Sequence, residues 1–172
     1  MSEHEELEER VREAREPFDK VVAGTMAIIA ALLAIVTVLG QHYNTEKLLN
    51  QQYASDQWAY YQAKDIRHYS ANVAQDVLAQ LKPDPKVIAK YAKDSARYEK
   101  DLKGITEKAH EFERERDKTG HEAGRFHLGE IFLEVAIVFS SLSILFKQRP
   151  IFLLGAGSAV LGLAIAVTGY WV

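Results

Sequence analysis

The sequence predicts an all-α integral membrane protein with three transmembrane helices and a long antiparallel coiled-coil hairpin between the first and the second. Three segments are apolar enough to cross a bilayer core of about 30 Å, which takes about 20 helical residues. Nearly all charged residues, 26% of the chain, lie outside these segments. The polar region after the first segment is rich in helix-forming residues and is interrupted by one pair of prolines.

The chain begins with a charged tail, residues 1–17, for which we expect a short helix. Ser2 and Glu5 have the spacing of a capping box, and Pro17 is expected to interrupt the helix. A thin apolar stripe follows the helical period and consists of Leu7, Val11, Ala14 and Phe18. The sequence leaves two roles open for this tail: contact with a neighbouring subunit, or a frayed and solvated acidic helix.

The first transmembrane helix is expected over residues 18–41, which include an uncharged run from Val21 to Gly40. It follows a charged tail, and its apolar run is longer than that of a cleavable signal peptide, so we interpret it as a membrane anchor. Small residues recur on one face in steps of four and three, at Ala23, Ala27, Ala30, Ala34 and Thr37. Because small residues let membrane helices approach closely, this stripe predicts a helix-packing face.

Residues 42–125 are predicted to form the hairpin, with its turn at residues 82–85. The segment Lys82-Pro83-Asp84-Pro85 is a strong helix breaker, because proline cannot continue a helix interior and disfavours helix in the residue before it. About 40 residues lie on each side of it, so two arms of roughly 60 Å would rise from the bilayer and meet at the turn.

Both arms carry a seam with the period of a coiled coil. In the descending arm most seam positions are apolar, with Arg116 the clear exception: Ile88, Tyr91, Ser95, Tyr98, Leu102, Ile105, Ala109, Phe112, Arg116, Thr119, Ala123 and Phe126. The ascending arm has a looser seam, for which we expect Ala59, Ala63, Ile66, Ser70, Val73, Val77 and Leu81. Folding about the turn places Trp58 opposite Ala109 and Ser55 opposite Phe112. Further apolar residues on both arms predict contact with neighbouring subunits, at Tyr61, Tyr69, Leu78, Val87 and Leu102.

The second and third transmembrane helices are expected over residues 126–146 and 150–172. The seam of the descending arm runs through Phe126 without a change of phase, so the arm should enter the bilayer as one helix. The third helix has its own stripe of small residues, which predicts a second packing face at Gly155, Ala159, Gly162, Ala166 and Gly169. Tyr170 and Trp171 fit an aromatic anchor at the membrane interface.

The distribution of basic residues predicts a cytoplasmic N-terminus and an extracytoplasmic hairpin. The short connector Lys147-Gln148-Arg149-Pro150 is basic and lies on the same side as the N-terminal tail, which is also rich in arginine. Short basic connectors mark the cytoplasmic side of a membrane. Basic residues at the roots of the hairpin oppose this orientation, but loops of more than about 60 residues count weakly in the rule.

Two carboxylates in the second transmembrane segment form the candidate functional site. A carboxylate inside a bilayer is costly and usually faces a protein interior or water. Glu134 lies roughly 12 Å into the segment and Glu130 roughly 6 Å. The pairing of the arms brings Glu130 near two potential hydrogen-bond donors, Thr37 and Gln41. One helix face is shared by residues spaced by seven: His127, Glu134 and Ser141.

The residues leave several roles open for this site. Glu130 marks the membrane interface while Glu134 fixes the helix register through a hydrogen bond or as the neutral acid. Alternatively, the faces of several subunits converge into a ring of carboxylates that lines a cation path, or Glu134 is a proton-binding site. His127 and Glu130 supply only two potential metal ligands, so we predict no metal and no other cofactor.

The residues of the second and third transmembrane segments also resemble a known family. The resemblance rests on Leu128–Val138 (LGEIFLEVAIV), Ser140–Leu145 (SSLSIL), the basic connector, the glycine-bearing third segment and the exit of the first, Ala31–Asn44 (ALLAIVTVLGQHYN). Together they resemble an uncharacterised family of bacterial three-span membrane proteins, known only as a domain of unknown function. The resemblance implies a bacterial inner-membrane protein and supplies no activity, substrate or catalytic residue.

The remaining chemistry narrows the class of function. The chain has no cysteine, which excludes disulfides, thiolate catalysis and cysteine-based metal sites. No nucleotide-binding or hydrolase motif occurs, so we predict no catalytic residue and no enzyme. The net charge of −3 argues against a nucleic-acid binder. We expect a homo-oligomeric membrane protein of structural, scaffolding or interaction type, which contacts membrane lipids and can bind a protein partner at the hairpin. The alternative is a cation channel or a proton-binding membrane protein that uses Glu134 with Glu130.

Overall fold

The computed structural model describes residues 3–81 and 84–171, with side chains from residue 17 onward, and this part of the chain is all-helical. Helix α1 runs from Glu3 to Leu81, α2 from Pro85 to Phe146 and α3 from Arg149 to Thr168, followed by a 3₁₀ turn, Gly169–Trp171. Each of the three α-helices contains a window long and apolar enough to cross a membrane. The predicted all-α class with three candidate membrane helices is therefore confirmed.

Helix α1 differs from the prediction near its start. It runs through Pro17, where an interruption was expected. The proline ring removes one backbone N–H from a helix of 79 residues, and the helix continues on both sides of that missing hydrogen bond. The predicted capping residue Ser2 and the stripe side chains of Leu7, Val11 and Ala14 lie outside the described part of the chain.

Asp84 begins α2. Its carboxylate accepts a hydrogen bond from the backbone N–H of Lys86 at 2.9 Å, and its backbone carbonyl accepts one from Val87 at 2.9 Å. Pro85 follows as the first helical residue, where its missing N–H has no partner to lose. Lys82 and Pro83 of the predicted turn lie outside the described residues.

The chain divides into two compact units. The first, called here the apolar unit, contains α1 up to Asn44, α2 from Gly120 and all of α3; the second, called the polar unit, runs from Thr45 to Thr119. The apolar unit has a core shared by its three helices, at Ile29, Val36, Phe126, Leu133, Ala136, Ala159 and Ala166. Phe18 of α1 extends this packing, since its ring meets the ring of Phe152 edge-on at 6.0 Å.

In the polar unit α1 and α2 are joined by polar side chains. The Ser95 hydroxyl donates to Asn72 Oδ1 at 2.6 Å, and Lys64 Nζ donates to Asp101 Oδ2 at 2.8 Å. Nearer the ends of the unit that adjoin Thr45 and Thr119, the Trp58 indole N–H donates to Glu113 and the Arg116 guanidinium donates to Gln51, both at 2.9 Å. Positions rise along α1 as they fall along α2, so the two helices run antiparallel in this unit. We call these contacts the polar ladder.

The predicted seam of α2 lies on its covered face. Every one of its positions is buried or half-buried, with Leu102, Ile105 and Ala109 among the buried residues. The neighbours differ in detail from those predicted, because Phe112 packs its ring against Tyr53 at 5.3 Å and Trp58 packs against His110 at 5.4 Å.

The predicted seam of α1 is wrong. All of its positions are exposed: Ala59, Ala63, Ile66, Ser70, Val73, Val77 and Leu81. The face turned to α2 instead consists of Ala54, Gln57, Trp58, Tyr61, Lys64, His68, Ala71, Asn72, Gln75 and Leu78. Polar side chains occupy much of this face, and the apolar residues with a regular period lie on the opposite face of α1.

A left-handed residue ends α2. Lys147 has a φ of 55°, and the backbone N–H of Gln148 donates to the carbonyl of Ser143 at 3.2 Å. This is the bond of a Schellman motif, in which glycine usually takes the left-handed position. The basic connector is thereby reduced to two residues, because Arg149 already belongs to α3.

Candidate functional site

Glu130 is held between α1 and α2 of the apolar unit. The Thr37 hydroxyl donates to Glu130 Oε1 at 2.7 Å, so the structure brings together the two residues that the predicted pairing places side by side. His127, one turn earlier on α2, has its Nδ1 3.3 Å from Glu130 Oε2. Both oxygens of the Glu130 carboxylate therefore have a neighbouring polar group, and the side chain is 22% exposed. Gln41, the other expected donor, lies on the exposed side of α1.

Glu134 lies one turn beyond Glu130 on the exposed face of α2. His127 and Ser141, spaced by seven residues from Glu134, are exposed on the same face, as their spacing requires. Within residues 17–81 and 84–171, no hydrogen bond or ion pair reaches the Glu134 carboxylate. A hydrogen bond from Glu134 that would fix the helix register, one of the roles left open for it, is therefore not made among the described residues.

The two stripes of small residues differ in their exposure. On α3 the stripe is buried at Gly155, Ala159, Gly162 and Ala166. On α1 the stripe at Ala23, Ala27, Ala30 and Ala34 is exposed, and the covered positions are Val22, Ile29 and Val36. Within one chain, α1 therefore packs through β-branched residues one position away from the predicted small ones. The predicted small-residue face of α1 is therefore not covered by another helix within the described residues, and its packing against another copy stays a prediction.

The buried stripe of α3 brings its backbone against that of α2. A Cβ placed on Gly162 would lie 2.8 Å from the Gly129 carbonyl oxygen, and a Cβ on Gly129 would lie 2.8 Å from the Gly162 oxygen. The Ser158 hydroxyl donates across the same interface to the carbonyl of Phe132 at 2.7 Å. Gly129 and Ser158 were not identified from the sequence. Gly129 continues the seam of α2 three residues after Phe126, and that spacing was the available signal.

An aromatic cluster lies at one end of the apolar unit. The Tyr43 ring stacks on the Phe126 ring with centroids 5.4 Å apart, and the Tyr170 ring meets the Phe126 ring edge-on, also at 5.4 Å. Gly40 and Gly169 leave room for this ring, since a Cβ on either would come within 3.2 Å of Phe126 atoms. Tyrosines with a polar tip and an apolar body are typical of the membrane interface.

The polar unit holds a second cluster of charged groups, around the polar ladder. Hydrogen bonds from Trp58 and then from His110 hold the pKa of the Glu113 carboxyl below its ordinary value, although burial opposes this shift. The hydrogen bond between Lys64 and Asp101 raises the pKa of the Lys64 ammonium and lowers the pKa of the Asp101 carboxyl, again against burial. Both carboxylates are thus stabilised in their charged forms.

These clusters contain no arrangement suited to bound metal. In the part of the chain that the structure describes, no three histidine, aspartate or glutamate side chains are grouped as metal ligands. The two carboxylates of the polar ladder, Glu113 and Asp101, each accept a hydrogen bond from the facing helix, from Trp58 and Lys64 respectively. The arrangement can fix how two helices pair and can carry charge, and it presents no nucleophile with an adjacent base.

Three helices long and apolar enough to cross a membrane, joined by a short connector and packed through glycine, fit the class of multi-pass helical membrane proteins. The chain belongs to the family described as "Domain of unknown function (DUF4337)", which matches residues 18–172 and so includes all three candidate membrane helices. The resemblance to a family of unknown function is confirmed. No curated protein and no solved structure matches the chain.

Proposed function

We propose that this chain is a structural or interaction protein of a bacterial inner membrane, which works as a homo-oligomer and presents residues 42–125 as an antiparallel coiled-coil hairpin outside the bilayer. The polar ladder is the observation that carries the proposal. Its side chains join α1 and α2 from Gln51–Arg116 to Asn72–Ser95, so the pairing extends over most of the polar unit. Such a long paired segment supplies surface for protein contacts rather than a pocket for a substrate.

The proposed topology assigns residues 18–41, 126–146 and 150–172 to the membrane. Membrane lipids surround these helices, the N-terminus is cytoplasmic and the hairpin is extracytoplasmic. The basic connector at Lys147 and Arg149 supports this orientation through the positive-inside rule. The hairpin would then meet its partners, other copies or a further protein, outside the cytoplasm.

The absence of cysteine makes the hairpin testable by disulfide trapping in the full-length chain. Asn72→Cys combined with Ser95→Cys should form an intramolecular disulfide on oxidation, seen as a mobility shift at monomer mass, because the native side chains are 2.6 Å apart. The matched control combines Ile66→Cys with Ser95→Cys, since Ile66 lies on the opposite face of α1. An equal shift in both pairs contradicts the hairpin.

Two further measurements test the rest of the proposal. Light scattering of the protein in detergent gives its subunit number, and a strict monomer contradicts the homo-oligomeric scaffold. For topology, Lys100→Cys should react with a membrane-impermeant maleimide added outside spheroplasts. The thiol of Lys147→Cys, which the proposed topology places on the cytoplasmic side, should react with the maleimide only after the membrane is opened. The reverse pattern contradicts the proposed orientation.

A second candidate function, a cation path or a proton-binding site at Glu134, is favoured by one contact. Thr37 continues the exposed small-residue stripe of α1, and Glu130 lies one turn before Glu134 on α2. The hydrogen bond from Thr37 to Glu130 therefore supports a single surface of the apolar unit that carries both the stripe and Glu134. Several copies that meet through such a surface would bring their Glu134 carboxylates together as a ring.

Cation flux into liposomes tests this candidate. Wild-type protein should carry flux above that of empty liposomes, and Glu134→Gln should abolish it. Glu99→Gln is the matched control, because Glu99 is an exposed glutamate of the polar unit and its substitution should leave the flux unchanged. A wild-type flux equal to that of empty liposomes refutes the channel and leaves the structural role standing.

A further inference from the structure

The face of α1 opposite α2 carries a long series of exposed side chains that are mostly apolar. Between residues 59 and 81 the large ones are strongly exposed: Tyr60 (50%), Ile66 (67%), Tyr69 (70%), Val73 (42%), Val77 (52%) and Leu81 (70%). Water-exposed helices are usually covered by charged residues, and an exposed apolar patch of this length marks an interaction site. These residues belong to the polar unit, so lipid does not account for their exposure.

The spacing of these residues is that of a second coiled-coil seam. Ala63, Ser70 and Val77 occupy the a positions of one heptad frame, and Ala59, Ile66 and Val73 occupy its d positions. The other large exposed residues fall on the flanking e and g positions, with Tyr60 and Leu81 at e and Tyr69 at g. Residues that face α2, such as Lys64, Ala71 and Leu78, occupy the remaining side of the helix. In this segment α1 therefore has two contact faces, and α2 covers only one of them.

The exposed side of α2 does not resemble this face. Its outward positions are mostly charged, at Lys86, Lys90, Lys93, Arg97, Glu99, Lys100, Lys103, Glu107, Lys108, Glu111 and Arg114. A second copy that offered its α2 would set these charges against Ile66 and Val73 and would desolvate them without partners. A second copy that offers its α1 presents the same heptad repeat, which is the match that a coiled coil requires.

The flanking residues agree with a parallel pair of α1 helices. Copies of one membrane protein are inserted with the same orientation, so equivalent segments meet in parallel. In a parallel pair each g residue contacts the e residue five positions later on the other copy. These contacts are Gln62 with Arg67, Tyr69 with Ala74 and Asp76 with Leu81. No two like charges meet, and the large Tyr69 ring meets the small Ala74 side chain.

We propose that residues 59–81 of α1 are the seam through which two copies of this chain associate as a parallel coiled coil, a specific interface within the homo-oligomer on which the proposed function rests. An open groove beside the seam, lined by Tyr69, Val73, Val77, Leu78 and Tyr91, extends the apolar surface toward α2 and receives the flank of the second copy.

Single cysteines in the full-length, cysteine-free chain test the interface. Oxidation of Ile66→Cys or Val73→Cys in membranes should give a disulfide-linked dimer of twice the chain mass. Its yield should exceed that of Lys100→Cys by about tenfold, because a thiol at an interface sees its partner at an effective millimolar concentration. Lys100 is the matched control, since it is exposed on the outer face of α2. Equal yields at all three positions overturn the proposal.

A double substitution separates this interface from the proposed function as a whole. Ile66→Glu with Val73→Glu places four carboxylates at the centre of the seam and should lower the subunit number seen by light scattering. The disulfide between Asn72→Cys and Ser95→Cys should still form in this variant, which shows that the hairpin is intact. An unchanged subunit number overturns the proposed seam but not the homo-oligomeric scaffold. A wild-type protein that is itself a monomer overturns both proposals. A cross-linked product of another mass identifies a different protein as the occupant and overturns the second copy.

Discussion

The close approach of α2 and α3 predicts that adding a single methyl group at Gly162 destabilises the protein. In Gly162→Ala the new Cβ would lie 2.8 Å from the Gly129 carbonyl oxygen, 2.9 Å from Phe132 Cβ and 3.2 Å from the Leu133 backbone nitrogen. Two of these three atoms belong to the backbone of α2 and cannot rotate away. Ordinary contact begins at 3.4 Å, so the helices must separate locally by about 0.6 Å, the difference between 3.4 and 2.8 Å.

The size of the effect follows from that separation. A gap of about 0.5–1 Å forfeits a quarter to a half of the dispersion energy of each contact it opens. Overpacking of this kind typically costs about 1–3 kcal/mol. Replacing glycine by alanine also favours the helix itself by up to about 1 kcal/mol, which partly masks the clash. Gly157→Ala is the matched control, because a Cβ there meets no atom within 4 Å and shows the helix effect alone.

Thermal unfolding in detergent, followed by circular dichroism, measures the difference. Gly162→Ala should unfold about 2–12 °C below Gly157→Ala, since about 1 kcal/mol corresponds to about 2–4 °C for a chain of this size. Gly129→Ala should behave like Gly162→Ala, because its Cβ would lie 2.8 Å from Ala166 Cβ, while Gly124→Ala meets nothing and serves as its control. If Gly162→Ala is as stable as Gly157→Ala, the helices α2 and α3 do not approach each other through these glycines.

Three further predictions follow from single side chains. Ser140 is fully buried with no hydrogen-bond partner for its hydroxyl among the described residues, so Ser140→Ala should be neutral or stabilising by about 1 kcal/mol. Ser158→Ala loses the hydrogen bond to the Phe132 carbonyl and should be destabilising. Chemical unfolding of both variants measures the difference, and the opposite order of stability contradicts these hydrogen-bond states. The pKa of Glu113 is lowered in the folded chain, so the contribution of Glu113 to stability is complete at pH values above its ordinary pKa of 4.5 and is lost as the pH falls through the lowered pKa. Glu113→Gln should therefore lose less stability in acid than the wild type does. The same dependence of stability on pH in both proteins contradicts this. Lys147 holds a left-handed conformation, and Lys147→Gly should raise the free energy of unfolding by about 1 kcal/mol, a gain that an unchanged melting temperature would exclude.

The two arms show why only part of the fold was predictable from sequence. In α2 most of the covered positions are apolar, from Ile88 through Leu102 to Phe126, so hydrophobic periodicity predicted the packing face directly. In α1 the covered face carries Lys64 and Asn72, whose contribution depends on partners in another helix. No property of α1 alone distinguishes a lysine that meets Asp101 from one that points to water, and the apolar face that does stand out is the exposed one.

The candidate site divides in the same way. Glu130 could be assigned to Thr37 because the position of the turn determines which residues of the two helices lie at the same level. The exposure of Glu134 depends instead on which faces of α2 are taken up by α1 and α3. Gly129 and Ser140 turn toward α3 or the interior, and that rotation leaves Glu134 on the remaining side. The rotation is set by the backbone contact between Gly129 and Gly162; periodicity marks each glycine on its own helix but does not show that the two meet.

The distribution of polar and apolar residues on α1 gives the polar ladder a distinct role from that of the exposed seam. An apolar interface between two helices tolerates a shift by one heptad, because equivalent side chains then replace one another. The part-buried hydrogen bonds of the polar ladder do not tolerate it, since a shift would leave Asn72 and Asp101 without their partners Ser95 and Lys64. The contact that must form once, within a chain, is therefore the polar one and fixes the register of the arms. In the proposed homo-oligomer the apolar seam would need no such specification, because a membrane would hold two copies in parallel and at the same level.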